Sequence, residues 1–186
     1  MKRHVVVARA PLRVIAYKSR MTDEPIPTPL DLHREVVRPD WIDYNGHMNV
    51  AFYVLAFDHA TDAVFEYLQI GEDYRRRTGC SMFAMEVHVL YMAELKEGEP
   101  LRITTQILGA DEKRLHFFHR MYHAGRGTQA ACLEIMGLNV DLTARKAQPF
   151  PSDAYARLQR VAAAHAAMPR PAEAGRVMGL RAKPPQ

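Results

Sequence analysis

The sequence predicts an α+β domain in which a curved antiparallel sheet wraps one long central helix. Three observations carry that prediction. Residues 51–70 repeat apolar side chains at helical spacing around much of the circumference; four runs of period-two alternation follow, separated by short turns; and one such run precedes the helix. With 186 residues, 48% of them hydrophobic, the chain has enough apolar side chains for the core of one domain, spanning residues 25–150.

Each element follows in order. Residues 1–24 are predicted to be a basic, ill-ordered or artefactual extension: Arg9 and Arg13 break any apolar leader segment, and Met21 opens Met-Thr-Asp-Glu, a natural start. After Pro25, Pro27 and Pro29, residues 30–37 alternate as a first strand, which Pro39 ends. A polar loop over 41–49 closes on Asn49, a good N-cap. In the helix that follows, Phe57, Ala60, Val64 and Leu68 form one stripe, widened by Tyr53, Phe65 and Tyr67, and Gly71 is placed as its stop.

In residues 84–92, Met85, Val87, Val89 and Tyr91 share a face; Leu101, Ile103 and Ile107 alternate in 101–108; Leu115, Phe117 and Met121 line the next strand; and 129–142 form the last. That last strand changes parity, from Leu133 and Ile135 to Leu138, Val140 and Leu142, which places a β-bulge at Gly137. Residues 151–168 read as an amphipathic helix through Tyr155, Leu158 and Val161, and 169–186 as a tail.

The formal charge of +4 is concentrated at the termini: residues 1–20 carry +6 and residues 167–186 carry +3, leaving an acidic body of −5. That distribution argues against a nucleic-acid partner, whose phosphates need a basic folded surface. Apolar runs are broken by charge well short of a membrane span. Cys80 and Cys132 cannot make a disulfide framework, and they read as buried thiols of a protein in the reducing cytoplasm.

The chain lacks a Gly-x-Ser-x-Gly elbow, a P-loop and a Cys-x-x-Cys pair. His116, His119 and His123 do not converge on a strand, where His119 and His123 stand ~13 Å apart and His116 points the other way, so no metal is predicted and the three are placed at a surface or interface. The segment that carries chemistry is Asp43-Tyr44-Asn45-Gly46-His47-Met48-Asn49. It sets a carboxylate and a glycine beside a helix N-terminus, whose unpaired N–H groups and partial positive charge suit a developing oxyanion. The same pattern also describes an ordinary Asx turn leading into an N-cap.

Residues 30–150 resemble the 4-hydroxybenzoyl-CoA thioesterase group of hotdog proteins, on the pattern Asp43-x-x-Gly46-His47-Met48-Asn49-x-x-x-Tyr53. Asp43-Tyr44-Asn45-Gly46-His47-Met48, Glu86-Val87-His88 and the run from Leu108 to His116 are similar to the betainyl-CoA thioesterases of carnitine breakdown, some of them fused behind L-carnitine dehydrogenase; Asn49 and Val50 follow the broader pattern. The resemblance implies a hotdog fold and a cofactor-free acyl-CoA thioesterase, on betainyl-CoA or on another aromatic or branched acyl group, with a non-catalytic acyl-CoA binder as the contrasting reading. It implies Asp43 as nucleophile or general base, Asn49, Gly46 and nearby amides orienting the carbonyl, and His47 lining the loop.

A quaternary ammonium has no N–H to donate and is held by aromatic faces and carboxylates. Trp41, Tyr44, Tyr53 and Phe57 are the substrate candidates, with Phe52, Tyr91, Asp58 and Asp62 nearby. Glu86 and His88 join them, from a strand face that also suits a partner subunit. Lys113 and Arg114 are the candidates for the CoA phosphates, with Arg75, Arg76 and Arg77 as the other basic cluster. A homodimer or a dimer of dimers is implied.

Overall fold

A long helix, α1 (Val50–Tyr67), lies along a twisted antiparallel sheet. The computed structural model describes residues 25–180; the extension expected over 1–24 and the last six residues of the expected tail lie outside them. The strands are β1 (Leu30–Val36), β2 (Cys80–Tyr91), β3 (Pro100–Ala110), β4 (Arg114–His123), β5 (Gln129–Asp141) and the short β6 (Lys146–Ala147). Their order is β1-β3-β4-β5-β2, with β6 paired to β5, so β1 and β2 are the two edges. This is the curved sheet around one helix that the sequence predicts.

Two elements extend that prediction. A short helix, α2 (Glu72–Thr78), follows α1, and β2 begins at Cys80 rather than at 84. The chain leaves α1 at Gln69, whose φ of 56° turns it, so the stop precedes Gly71. Gly71 serves a close approach instead: the Glu66 carboxylate accepts from the Glu72 N–H at 3.0 Å, and a Cβ on residue 71 would collide with it.

The bulge lies on the neighbouring strand. Odd-numbered residues of β5 stay inward from Ala131 through Asn139, and the extra residue is Met85, between the pairs Ala84–Gly137 and Glu86–Met136. Gly137 is its partner, and Met85 leaves the face shared by Val87 and Val89, 62% exposed. A bulge on an edge strand strengthens local twist, which helps the sheet curl around α1. The parity reading misplaced it because outward-facing Leu138 and Val140 are apolar too.

The core joins the buried face of α1 (Tyr53, Ala56, Phe57, Ala60, Val64) to inward residues of β3, β4 and β5, and to Ala154, Leu158 and Val161 of α3 (Ser152–His165). Both cysteines are buried, and burial pushes the Cys132 thiol up to about 11. Among the described residues, no helix is long and apolar enough to cross a membrane. Part of the expected tail is pinned to the sheet: Gln106 Nε2 donates to the Pro169 carbonyl at 3.3 Å, Arg120 pairs with Glu173 at 3.4 Å, and the Gly175 N–H donates to Glu134 at 2.7 Å.

One polar group sits in the middle of this core. His119, expected at a surface or interface, is fully buried and stacked on Phe57 at 5.8 Å. Thr61 gives its single hydroxyl hydrogen to the Phe57 carbonyl, so it accepts from His119 Nε2–H at 3.0 Å; Nδ1 is then the acceptor of the Thr105 hydroxyl at 2.7 Å. The ring is therefore neutral, and burial lowers its pKa to about 3. His165 is held in the same way, accepting from the Ile107 N–H at 2.8 Å and donating to the Pro27 carbonyl at 2.9 Å, and burial lowers its pKa as well.

Both native pKa values lie below the unfolded value of ~6.5, so the unfolded chain takes up protons first as pH falls. The stability these rings contribute is whole above about pH 6.5 and drains away below it, for His119 by ~1.4 kcal/mol per pH unit toward about pH 3. Urea unfolding at several pH values is expected to show that slope, and His119→Gln, which keeps a donor and an acceptor, to reduce it by one histidine's share.

Candidate active site

The chain approaches α1 through a short 3-10 turn, Pro39–Trp41, and a closed loop. Ile42 and Met48 form an isolated antiparallel bridge. Between them the Asp43 N–H donates to the His47 carbonyl and the Gly46 N–H to the Asp43 carbonyl, both at 3.0 Å. Gly46 turns the chain at φ +82°, a conformation that glycine adopts without strain. Half-buried Asp43 accepts from the Asn45 N–H at 2.8 Å through Oδ1, an Asx turn that orients the carboxylate.

Asn49 is the helix N-cap, accepting from the Ala51 N–H at 3.0 Å. Its backbone N–H donates to the Trp41 carbonyl at 2.9 Å, while the Met48 N–H donates to Leu95 at 2.8 Å. No acidic residue stands in the first turn of α1, so no charge within the helix offsets its positive end. Asx turn and N-cap are both present, and together they set a carboxylate beside that end.

The connection from β2 to β3 braces the loop. The buried Tyr53 hydroxyl donates to the Ala93 carbonyl at 3.3 Å and accepts from the Leu95 N–H at 3.1 Å; burial raises its pKa, keeping it a neutral phenol. Tyr91 meets the Tyr53 ring edge-on at 5.4 Å and donates to the Val50 carbonyl at 3.3 Å. His47 Nε2 lies 3.2 Å from the Glu94 carboxylate, which is 66% exposed.

Asp43, Gly46, His47, Asn49 and Tyr53 thus gather at one end of α1. Trp41 belongs to the core beneath the loop, fully buried and stacked on Phe52 at 5.6 Å. Tyr44 stands in solvent, 97% exposed. Phe57 is buried about 12 Å along the helix from Asn49, at 1.5 Å per residue.

Glu86 and His88 lie on the β2 edge. Lys113 and Arg114 sit at the β3–β4 turn, a strand length of roughly 30 Å from the Asp43 end, and Arg114 is paired with Asp111 at 2.6 Å. Glu94, Lys96 and Arg126, which belong to no motif, stand on the loops at Asp43's own end; Arg126 is held by Glu99 at 2.8 Å. Sequence spacing offered no signal for them, because adjacency comes from the Leu95–Met48 and Glu99–Arg126 links.

α1 packs against β1 and β3 and stands off from β2, leaving two joined clefts. One, about 230 Å³, opens beside Val54 and is lined by Phe57, Phe65, Met82, Val87 and Leu133. The other, about 540 Å³, is lined by Asp58, Asp62, Glu66 and Arg75 among others. Asp43 borders neither.

Comparison with known proteins places this geometry. Residues 37–158 match the thioesterase-like superfamily. The chain is 41% identical over 151 residues to a betainyl-CoA thioesterase of Pseudomonas aeruginosa, covering 81% of this chain and 95% of that one. It is 38% identical over 153 residues to the L-carnitine dehydrogenase/betainyl-CoA thioesterase of Rhizobium meliloti, covering 82% of this chain and 31% of that longer protein. Among solved structures, a Pseudomonas putida protein described as a thioesterase superposes with a TM-score of 0.72 at 36% identity, covering 83% and 98% of the two chains. A Staphylococcus aureus protein solved with CoA superposes at 0.76 with 23% identity, covering 85% and 100%, a likeness of fold. The matched stretch takes in the Asp43 loop, α1 and all the strands from β2 to β6, so more than architecture is shared: the chain is a hotdog-fold member of the thioesterase-like superfamily.

Proposed function

We propose that this protein hydrolyses betainyl-CoA to betaine and CoA, with Asp43 as its catalytic carboxylate. The observation that carries the reading is the half-buried Asp43 carboxylate, oriented by its own Asx turn beside a helix N-terminus. The 41% identity to a betainyl-CoA thioesterase supports the choice of acyl group. The positive end of α1, with the His47 and Val50 N–H groups that the turn and cap leave unengaged, polarises the thioester carbonyl and stabilises its oxyanion. Asp43 either attacks the carbonyl carbon, expelling the CoA thiolate and leaving an anhydride for water to open, or takes a proton from the attacking water. Either route breaks the C–S bond and consumes one water.

In betainyl-CoA the cation is two bonds from the carbonyl, so the groups that select it must stand at Asp43's end. Tyr44, half-exposed Tyr91 and the exposed Glu94 carboxylate meet that demand; Phe57 and Asp58 lie too far along α1 within one chain. Lys96, and Arg126 on release from Glu99, are basic groups on those loops that support contact with the CoA phosphates as the pantetheine arm runs outward. A cytoplasmic homodimer, or a dimer of dimers, fits the β2 edge, where Met85, Val87, Tyr91 and Met92 are 44–62% exposed. A second acyl reading, an aromatic or branched chain in the 230 Å³ apolar cleft beside Val54, would need that cleft and Asp43 to meet across two chains, because within one chain Asp43 does not border it.

Asp43→Asn keeps an oxygen for the Asn45 N–H and removes the charge; it is expected to lower CoA release by about 10²–10⁴-fold without unfolding the protein, measured with a thiol-reactive dye. Cation recognition is read by comparing betainyl-CoA with 3,3-dimethylbutyryl-CoA, in which carbon replaces the nitrogen. A preference of roughly 10–30-fold in kcat/KM for betainyl-CoA is expected, falling in Glu94→Gln. Equal or faster turnover of the neutral or an aromatic ester would assign the enzyme to another acyl group. Val87→Glu is expected to reduce the mass seen by light scattering to that of one chain.

A further inference from the structure

Opposite the clefts, on the flank of α1 that faces β1, three ionisable side chains converge. His33 and Glu35 occupy alternate positions of β1 and so point to the same side, toward the helix; their sheet neighbours at those positions, Ile103 and Leu101, are apolar and buried. His59 comes down from α1 to meet them. Glu35 Oε2 lies 3.3 Å from His33 Nε2 and 3.0 Å from His59 Nδ1, and one ligand atom from each residue falls within 4.8 Å of the others. The side chains of His33, Glu35 and His59 are 7%, 21% and 33% exposed, which leaves the group shielded yet open to solvent on one side.

We propose that His33, Glu35 and His59 bind one divalent transition-metal ion, tying edge strand β1 to α1. Two imidazoles and a carboxylate make a nitrogen and oxygen donor set of borderline softness, which suits zinc, cobalt or nickel better than calcium or magnesium. Ligand atoms ~2.0–2.1 Å from zinc on adjacent tetrahedral corners stand roughly 3.3 Å apart, close to both Glu35 spacings. The histidine nitrogens need only a modest approach to complete the face, and the fourth position faces the solvent side. His119, in the nearby core, takes no part, because Thr61 and Thr105 engage both its nitrogens. The site is independent of the thioester chemistry at Asp43.

The test is calorimetric titration of the untagged full chain, stripped with chelator, with Zn²⁺ and Co²⁺, alongside thermal unfolding. One ion per chain is expected, with a rise in Tm of roughly 5–10 °C at a hundredfold excess over Kd. Glu35→Gln and His59→Ala are each expected to weaken binding at least tenfold and to abolish the rise. His59 is partly exposed and its loss leaves the core intact, so an unchanged metal-free circular dichroism spectrum confirms that the variant folds. Absence of binding in the wild type would overturn the proposal and leave a hydrogen-bonded His–Glu–His contact. Binding unaltered in both variants would overturn it equally, by placing the metal elsewhere.

Discussion

An 18-residue helix that is apolar around most of its circumference needs cover on several sides, and a single chain has one sheet with which to provide it. The sheet has to curl. Met85, bulged opposite Gly137, increases the twist where β2 would otherwise run straight past α1, and Gly137 leaves room beneath it for the Met82 side chain. The curl is incomplete on that flank, and the uncovered strip between α1 and β2 is where both clefts lie. Cover is tighter toward β1 and β3, and there the core admits a polar group, His119, because Thr61 and Thr105 satisfy both ring nitrogens.

The same helix anchors the loop at its start. Its first residues are fixed by Asn49 from within and by Trp41 and Leu95 from either side, so the Asp43 loop is a backbone-bonded turn clamped on the core rather than a loose connection. Tyr53 joins the two roles. Its ring belongs to the core and its hydroxyl holds the Ala93–Leu95 segment against the loop, which brings Glu94 to His47. Rigid support of this kind positions a carboxylate better than a mobile loop would.

What the sequence revealed and what it hid follow from how far each signal reaches. Helical spacing from Phe57 to Leu68, and alternation in the strands, are local and were legible, as was the Asp43–Asn49 turn with its cap. The bulge was legible only as a break in parity: β5 has apolar residues on both faces, so its inner side was ambiguous. His119 was misjudged because a histidine gives no sign of its partners, and Thr61 and Thr105 come from other elements. The His33–Glu35–His59 group was hidden for the same reason: two members are two residues apart, but the third arrives from α1 only when the sheet closes. Trp41, polar by its sequence neighbours, is core because the loop folds over it.

Charge balance at the α1 N-terminus ties site and substrate together. A helix end of about +0.5 favours the oxyanion but opposes a trimethylammonium group held two bonds away. A betainyl ester therefore needs more negative charge nearby than a neutral acyl group does, and it needs it without a donor that competes for the oxyanion. Asp43 supplies one carboxylate and Glu94 a second, the latter beside His47 rather than a lysine or arginine. The fixed cation also withdraws electrons from the carbonyl, making the ester easier to attack, so on the proposed reading one carboxylate and the positive end of α1 would suffice. The phosphates at the far end of CoA would be repelled by the same acidic groups, which on that reading favours entry with the cation leading. On the proposed reading, a substrate positive at one end and negative at the other would in this way be oriented before it docks, over a range of about 8 Å at physiological salt.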